Sequence, residues 1–471
     1  MKGVFQMEMK HTNAVILAAG AGKRMRSRCS KVLCEVGGKP MLNWVIDAAK
    51  KAGAERICVV VSTDDVKAAA EAAGCETRIQ SERLGTGHAV RMAEDFLAAC
   101  PDGDTLILNG DAPFMDADTV RAAYRQHKAE NNAVTVVTAV LDDAANYGRI
   151  VRKDGRLAAI VEKADCNEEQ AAIREINSGA FWFGTEKLID ALSRITNSNA
   201  QGEYYLTDAV ALLIASGENA GAAVSENTDV VRGANSPAEL LLLSEAAAAA
   251  AINKHLEAGV QFRLRDGILI GPDVEIGEGT VILPGCIITG NTRIGGGCVI
   301  GPNSTVHNTV IGEDVVFESS KATDSTVGDG SNIGPFVQLR PGSNIGKKVK
   351  IGDFVEVKNS TIGDGTSVAH LTYIGDADVG RFCNFGCGTV FVNYDGEKKN
   401  RITVGDYCFI GCNTNLVAPV TLGEGAYTAA GATVTKDIPA GALAISREQL
   451  TIKDGWAARK LKKYIEKKQP K

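Results

Sequence analysis

From Ile270 onward the chain repeats every six residues, with aliphatics at Ile270, Ile276, Ile282, Ile288, Ile294, Ile300 and Val306, each usually followed by glycine or another small or turn-forming residue. Four positions after these stand Val274, Thr280, Cys286, Thr292, Cys298 and Ser304, so a second inward column of small or β-branched side chains runs beside the first. The beat slips by one residue near Val310. It resumes at Ile333 and continues through Leu339, Ile345, Ile351, Val357, Ile362, Val368 and Ile374, then through Val404, Ile410, Leu416 and Leu422. This period fits neither the 3.6 of a helix nor the alternation of an amphipathic strand. It fits short strands joined by tight corners and stacked into a solenoid, where each coil buries its apolar column only against its neighbours.

The rest of the chain follows different rules. At 471 residues it exceeds a single core. Before about residue 237, apolar strand-like runs alternate with Ala-rich helical stretches, the pattern of an α/β domain with a largely parallel sheet. After about residue 260 the helical signals vanish. Between them, ELLLLSEAAAAAAINKHLEAG, Glu239 to Gly259, reads as a helical connector ending at a glycine. The expected organisation is an α/β domain over 1–237, a helical linker over 238–259 and a repeat domain over 260–471.

No apolar run is long enough to span a bilayer, and the opening MKGVFQMEMKHT lacks the apolar core of a signal peptide. A cytoplasmic protein is expected, and there the twelve cysteines should be reduced. Cys383 with Cys387, and Cys408 with Cys412, have CxxxC spacing. The beat turns Cys383 and Cys408 inward, like Cys286 and Cys298, which argues against a metal site. A formal charge of −6 gives no broad affinity for nucleic acid or anionic membrane. Only the tail is basic, with Arg459, Lys460, Lys462, Lys463, Lys467, Lys468 and Lys471. Such a run is most often a solvated helix face, and it also suits a phosphate-bearing ligand.

Residues 14–17, AVIL, read as a first buried strand, followed by AAGAGKRM. Gly20 and Gly22 let the backbone approach an anion, while Arg24 and Lys31 supply positive charge at the strand end. The dinucleotide fingerprint fails because Met25 stands at its third glycine, and a P-loop fails at Leu17 and Arg24. A GxG after a strand is also an ordinary tight turn. Residues 105–108, TLIL, form a second strand delivering Asn109, Gly110 and Asp111 at the sheet edge where open α/β folds bind ligands. A carboxylate there can hold Mg²⁺ against a triphosphate, or it can cap a turn. Gln80, Gly85 and Thr86, in QSERLGTGHA, offer amide, backbone and hydroxyl groups to a base or ribose. His88 in that stretch reads as a helix-start residue rather than a catalyst.

LAAGAGKRM with Lys31, QxxxLGTGHA, NGDAP, NYGRI, IVEK, EINSGAF and NAQGEYYLTD occur in that order and are followed by hexads. With them the chain resembles the bifunctional N-acetylglucosamine-1-phosphate uridyltransferase and glucosamine-1-phosphate acetyltransferase family, from about Asn13 to Trp456. The resemblance implies a Rossmann-like nucleotidyltransferase domain followed by a left-handed parallel β-helix. It implies that Leu17, Ala18, Ala19, Gly20, Gln80, Gly85 and Thr86 hold UTP, with Arg24 and Lys31 on the phosphates. Gly148, Glu162 and Asn177 would line the sugar pocket, and Asp111 with Asn235 would bind Mg²⁺. The sequence departs from the family pattern at Lys23, usually Thr, at Ser30, usually Pro, and around Asn235, where ANSPAEL replaces VNNRxQL.

In the hexads, His370 sits two places after Val368, facing away from the core. Imidazole is the side chain suited to taking a proton from an amine near neutral pH. LRPG, FVEVKNS, HLTYIGDA and NYDG again resemble the acetyltransferase half, implying His370 as general base. They also imply Arg340 and Lys358 on the sugar phosphate, and Tyr373 and Asn384 on the glucosamine. Asn393, Tyr394, Cys412, Ala430 and Arg447 fall where the family meets acetyl-CoA, and Cys387 is outward nearby. Cys412 replaces a Ser, a stronger hydrogen-bond donor than a thiol. The resemblance further implies a homotrimer acting on glucosamine 1-phosphate, N-acetylglucosamine 1-phosphate, UTP and acetyl-CoA. The rival readings are a single-activity sugar nucleotidyltransferase with a regulatory repeat domain, and a solenoid serving only as a trimerisation scaffold.

Overall fold

The computed structural model describes residues 11–468 apart from 26, 28, 200 and 448, together with all side chains in that range except those of Lys23 and Arg459. Most of the opening segment and Lys471 of the basic tail therefore lie outside the described residues. The chain divides into two compact units. The first ends at Ile252 and takes in Ile270–Pro272, and the second comprises Asn253–Leu269 and the chain from Asp273 onward.

The first unit is built on a mixed sheet. Seven of its nine strands are β1 Thr12–Leu17, β2 Arg56–Val61, β3 Glu76–Ile79, β4 Asp104–Asn109, β5 Val134–Val140, β6 Glu175–Gly184 and β7 Ala220–Val224, in the order β7-β5-β6-β4-β1-β2-β3. Along this order all neighbours are parallel except β6, which is antiparallel to β4 and β5; the other two strands, Arg149–Lys153 and Arg156–Val161, pair antiparallel with each other, and the first of them with β6. Alternate side chains of each strand feed opposite faces. Ala14, Ile16, Leu106 and Leu108 enter one buried cluster and Val15, Ile107, Phe181 and Phe183 the other. Burial on both faces is why these strands read as unbroken apolar runs. From β1 the chain winds outward to β3 and returns as β4 on the other side. A crevice is thereby left at the carboxyl ends of β1 and β4, where Leu17 and Asn109 are register partners.

The helix expected over Glu239–Gly259 runs Pro237–Glu257, with Gly259 just beyond it at φ +84°. Its Leu243 and Ala247 pack with Met25, Cys34, Val36, Met41 and Ala234.

The second unit is a parallel β-helix. Its short strands form three sheets of eleven, ten and nine members, in which Glu275 pairs with Arg293 and Val281 with Val299. Each coil thus takes three strands and three corners. Every aliphatic of the beat, from Ile270 through Leu422, is buried, as are Val274, Thr280, Cys286, Thr292, Cys298 and Ser304. The slip lies between Val310, exposed, and Ile311, buried. One coil is long: Ser367 pairs with Asn384 17 residues on, but Asn384 pairs with Phe409 25 residues on. The surplus forms the loop 393–401. Helical structure also returns in the tail as Trp456–Lys468, so the loss of helix expected after residue 260 stops short of the basic run. No helix among the described residues is long and apolar enough to cross a membrane.

Two candidate active sites

At the carboxyl ends of β1 and β4 lies a cleft of about 510 Å³, beside a second of about 310 Å³. The first is lined by Leu17, Ala19, Gly20, Arg24 and Lys31, by Gln80, Gly85 and Thr86, and by Asn109, Asp111 and Asn235. The second is lined by Gly148, Glu162 and Asn177 and shares Leu17, Thr86, Asn109, Asp111 and Asn235 with the first. Two of the sequence candidates line neither. Ala18 is buried and donates its N–H to Val60 O, and Gly110 donates to Leu17 O, so both knit the strand ends behind the cleft.

Where the two clefts share walls, the Lys31 ammonium is ion-paired with Asp111 and donates to Asn235 Oδ1 at 2.6 Å. A carboxylate and an amide oxygen thus converge on one cation, the hard-oxygen set that suits a divalent ion. Gly233 fixes Asn235 nearby, since a Cβ there would lie 2.8 Å from Asp111 O. The Gln80 amide donates to Gly85 O at 3.2 Å and meets His88 Nδ1 at 3.0 Å. Gly85 has φ +108°, and a Cβ on it would lie 2.5 Å from Tyr204 O. Burial pushes the Glu162 carboxyl up, with the charge of Asp165 adding and Thr207 offsetting part of it.

Sequence reasoning missed several groups here. Arg83 donates to Ala19 O at 2.8 Å and Ser62 Oγ at 3.0 Å, bracing the glycine loop. Glu203 lines the first cleft, and Tyr205 and Thr207 the second. All three belong to NAQGEYYLTD. That segment docks through Tyr204 N–H to Leu84 O at 2.7 Å and Gly87 N–H to Tyr204 O at 2.8 Å.

On the solenoid, backbone bonds run from Leu371 to Asp353 O, Gly388 to His370 O, Asn413 to Cys387 O and Gly431 to Cys412 O. Asp353, His370, Cys387, Cys412 and Ala430 therefore stand in one column on successive coils. His370 is 59% exposed, with Nδ1 3.8 Å from Asp353 Oδ2. Asp353, which sequence reasoning did not single out, stands beside the ring just beyond hydrogen-bond distance. Cys387 is half-buried, whereas Cys412, Ala430, Asn384 and Arg447 are exposed.

Beyond the adjacent face, Arg340 donates to Glu356 Oε1 at 2.8 Å. The Lys358 ammonium is pushed down first by contact with Lys399, then by desolvation and the charges of Lys399 and Arg340. Three cations crowded together suit an anion, and Lys399 comes from the inserted loop. Asn393 is 7% exposed and donates to Asp376 at 2.5 Å and Tyr373 Oη at 3.4 Å, so its amide fastens the loop to the coil. Tyr394 is exposed, its hydroxyl on Gly396 O. Cys383 and Cys408, both buried, donate to Gly405 O and Gly423 O of the next coil.

A family model described as the MobA-like NTP transferase domain matches residues 14–180, and one described as bacterial transferase hexapeptide (six repeats) matches residues 401–436. Curated relatives named Bifunctional protein GlmU match almost end to end. That of Clostridium acetobutylicum is 46% identical over 450 residues, covering 95% of this chain and 98% of that protein. Those of Clostridium beijerinckii and Clostridium perfringens are 46% and 45% identical over 449 residues, with the same coverage.

Proposed function

Since the chain belongs to the bifunctional GlmU family, we propose that it makes UDP-N-acetylglucosamine in two steps, in the cytoplasm. Acetyl-CoA first acetylates glucosamine 1-phosphate, and the product then takes a uridyl group from UTP. We assign uridyl transfer to residues 1–237 and acetyl transfer to 260–471, joined by a helical linker over 238–259.

In uridyl transfer, an oxygen of the sugar 1-phosphate attacks the α-phosphorus of UTP and pyrophosphate leaves. Gln80, Gly85 and Thr86 hold the nucleotide, and Gly148, Glu162 and Asn177 the sugar. The two clefts meet where attack must occur. Arg24 and Lys31 neutralise charge as it moves to the leaving pyrophosphate, and alignment supplies much of the rate. Asp111 and Asn235 would hold Mg²⁺, whose charge would stabilise the phosphates. The convergence of both oxygens on the Lys31 ammonium supports that assignment.

In acetyl transfer, Arg340, Lys358 and Lys399 clamp the sugar phosphate, with Tyr373 and Asn384 beside the sugar. His370, oriented by Asp353, takes the proton from the 2-amine as nitrogen attacks the thioester carbonyl. Cys412 and Ala430 continue the column along which acetyl-CoA lies, with Cys387, Tyr394 and Arg447 at its sides. Asn393 acts by holding the loop. Hexapeptide repeats favour oligomers, and we infer a homotrimer whose copies complete this open site. Phe336, Phe354 and Leu371, 58%, 59% and 59% exposed at the His370 corner, supply an apolar edge for that contact.

The observation that favours two activities over a scaffold is the outward Asp353–His370 pair together with three crowded cations beyond the adjacent face, which packing does not require. The test supplies glucosamine 1-phosphate, acetyl-CoA, UTP and Mg²⁺ and follows free thiol and pyrophosphate separately. His370→Ala should abolish thiol release yet leave uridyl transfer from N-acetylglucosamine 1-phosphate, and Asp111→Ala should do the reverse. Normal thiol release by His370→Ala would remove His370 as the base.

A further inference from the structure

The segment carrying Lys31 also carries two cysteines that neither reaction uses. Cys29 is exposed and Cys34 buried, with their sulfurs 3.8 Å apart across the short turn Lys31–Leu33. Cys34 is held in the cluster of Met25, Val36, Met41 and Ala234. Cys29, by contrast, also meets Ser27, whose Oγ lies 3.1 Å from its sulfur and accepts its N–H at 3.2 Å.

We propose that Cys29 and Cys34 form a modification site for small-molecule disulfides, and that the resulting intramolecular bond disables the nucleotide cleft by displacing Lys31. The second clause rests on the uridyl-transfer reading above; the first does not.

The exchange balances in two steps. The Cys29 thiolate attacks one sulfur of the small disulfide, breaking its S–S bond and releasing one small thiolate. The Cys34 thiolate then attacks Cys29 Sγ and releases the second. Two protein thiols are oxidised, one disulfide is reduced to two small thiols, and two protons pass to the released thiolates. Burial and the Cys29 contact push the Cys34 thiol up, which leaves the first attack to the exposed Cys29.

A disulfide holds its sulfurs about 2.05 Å apart, so bond formation draws this pair together by roughly 1.8 Å. Cys34 is packed, so the movement falls on Cys29 and the residues attached to it. Ser30 is tied the other way, its hydroxyl 3.0 Å from Thr63 Oγ1 and 3.1 Å from Asp65 Oδ1. Lys31 Cβ in turn sits against Gly22, close enough that an added Cβ there would lie 2.7 Å from it. Shifting Ser30 and Lys31 therefore disturbs the glycine loop and removes the ammonium from Asp111 and Asn235.

The test treats the full-length enzyme with bis(2-hydroxyethyl) disulfide. Trypsin cuts after Arg28 and Lys31, so the bond would join the peptide holding Cys29 to the one holding Cys34, a product that mass spectrometry identifies directly. Uridyl transfer should fall by roughly a hundredfold, the scale of an ångström-sized misplacement, and should return on reduction with dithiothreitol. Cys29→Ser should keep its activity through the same treatment. A stable hydroxyethyl adduct on Cys29 without the joined peptides overturns the site. Joined peptides with uridyl transfer undiminished overturn the displacement of Lys31. Absence of uridyl transfer in the reduced enzyme instead refutes the functional reading and leaves the chemical site standing on its peptides.

Discussion

At the scale of single residues, Lys31 is placed to act twice. Its ammonium neutralises Asp111 and donates to Asn235 in the structure, yet phosphate stabilisation needs it turned toward the nucleotide. Lys31→Met should therefore tighten Mn²⁺ binding to the nucleotide-free protein by roughly tenfold, as one unit of nearby positive charge is removed, read by the paramagnetic signal of free Mn²⁺. Uridyl transfer should fall in the same variant. Cys412 invites the opposite kind of change. A hydroxyl is the stronger donor, so Cys412→Ser should raise the kcat of acetyl transfer by a few-fold, on the order of 1 kcal/mol of hydrogen bonding, with pyrophosphate release unchanged. Asp353→Asn keeps the shape beside His370 but removes the charge; thiol release should slow by roughly tenfold while uridyl transfer is unaffected.

At the scale of elements, β4 is anchored by its first residue. Asp104 accepts from Tyr124 Oη at 3.0 Å and Lys128 Nζ at 2.9 Å, with His127 Nε2 at 3.4 Å, and so ties the strand to the helix Ala117–Ala129. Burial alone would raise its carboxyl, but hydrogen bonds and charge from His127 and Lys128 outweigh it and hold the value low. A folded value below the unfolded one, about 3.9, stabilises the fold above that pH, and the stabilisation is lost as pH falls through the folded value. Asp104→Asn should unfold more easily at pH 7, and its deficit against the parent should shrink below about pH 4, followed by urea titration. The solenoid elements were readable in the sequence because each inward position recurs at fixed spacing and must fill the same small space. Their outward functions were less so. Asp353 meets His370, and Lys399 meets Lys358, only through coil stacking and an inserted loop. Arg83 braces Ala19 across a gap of 64 residues that no local pattern spans. NAQGEYYLTD was legible as a resemblance, but its docking on residues 84–87 was not.

At the scale of the whole molecule, the two chemistries sit in units with separate cores, and they should fail separately. If copies complete the acetyl site, dilution should lower acetyl transfer per chain while uridyl transfer stays constant, both measured against concentration with the oligomer followed by light scattering. The two units also differ in what must be present before they can form. Strand β1 at residues 12–17 finds its partners only at 56–61 and 104–109, whereas a solenoid strand needs a partner about one coil away. Closing long loops before any contact forms is slow. During synthesis the first unit must therefore wait for over a hundred residues to emerge, since Thr12 pairs with Asp104 and Leu17 with Asn109. The solenoid can add a rung with each coil that leaves the ribosome, and the long coil ending at Phe409 should be its one pause.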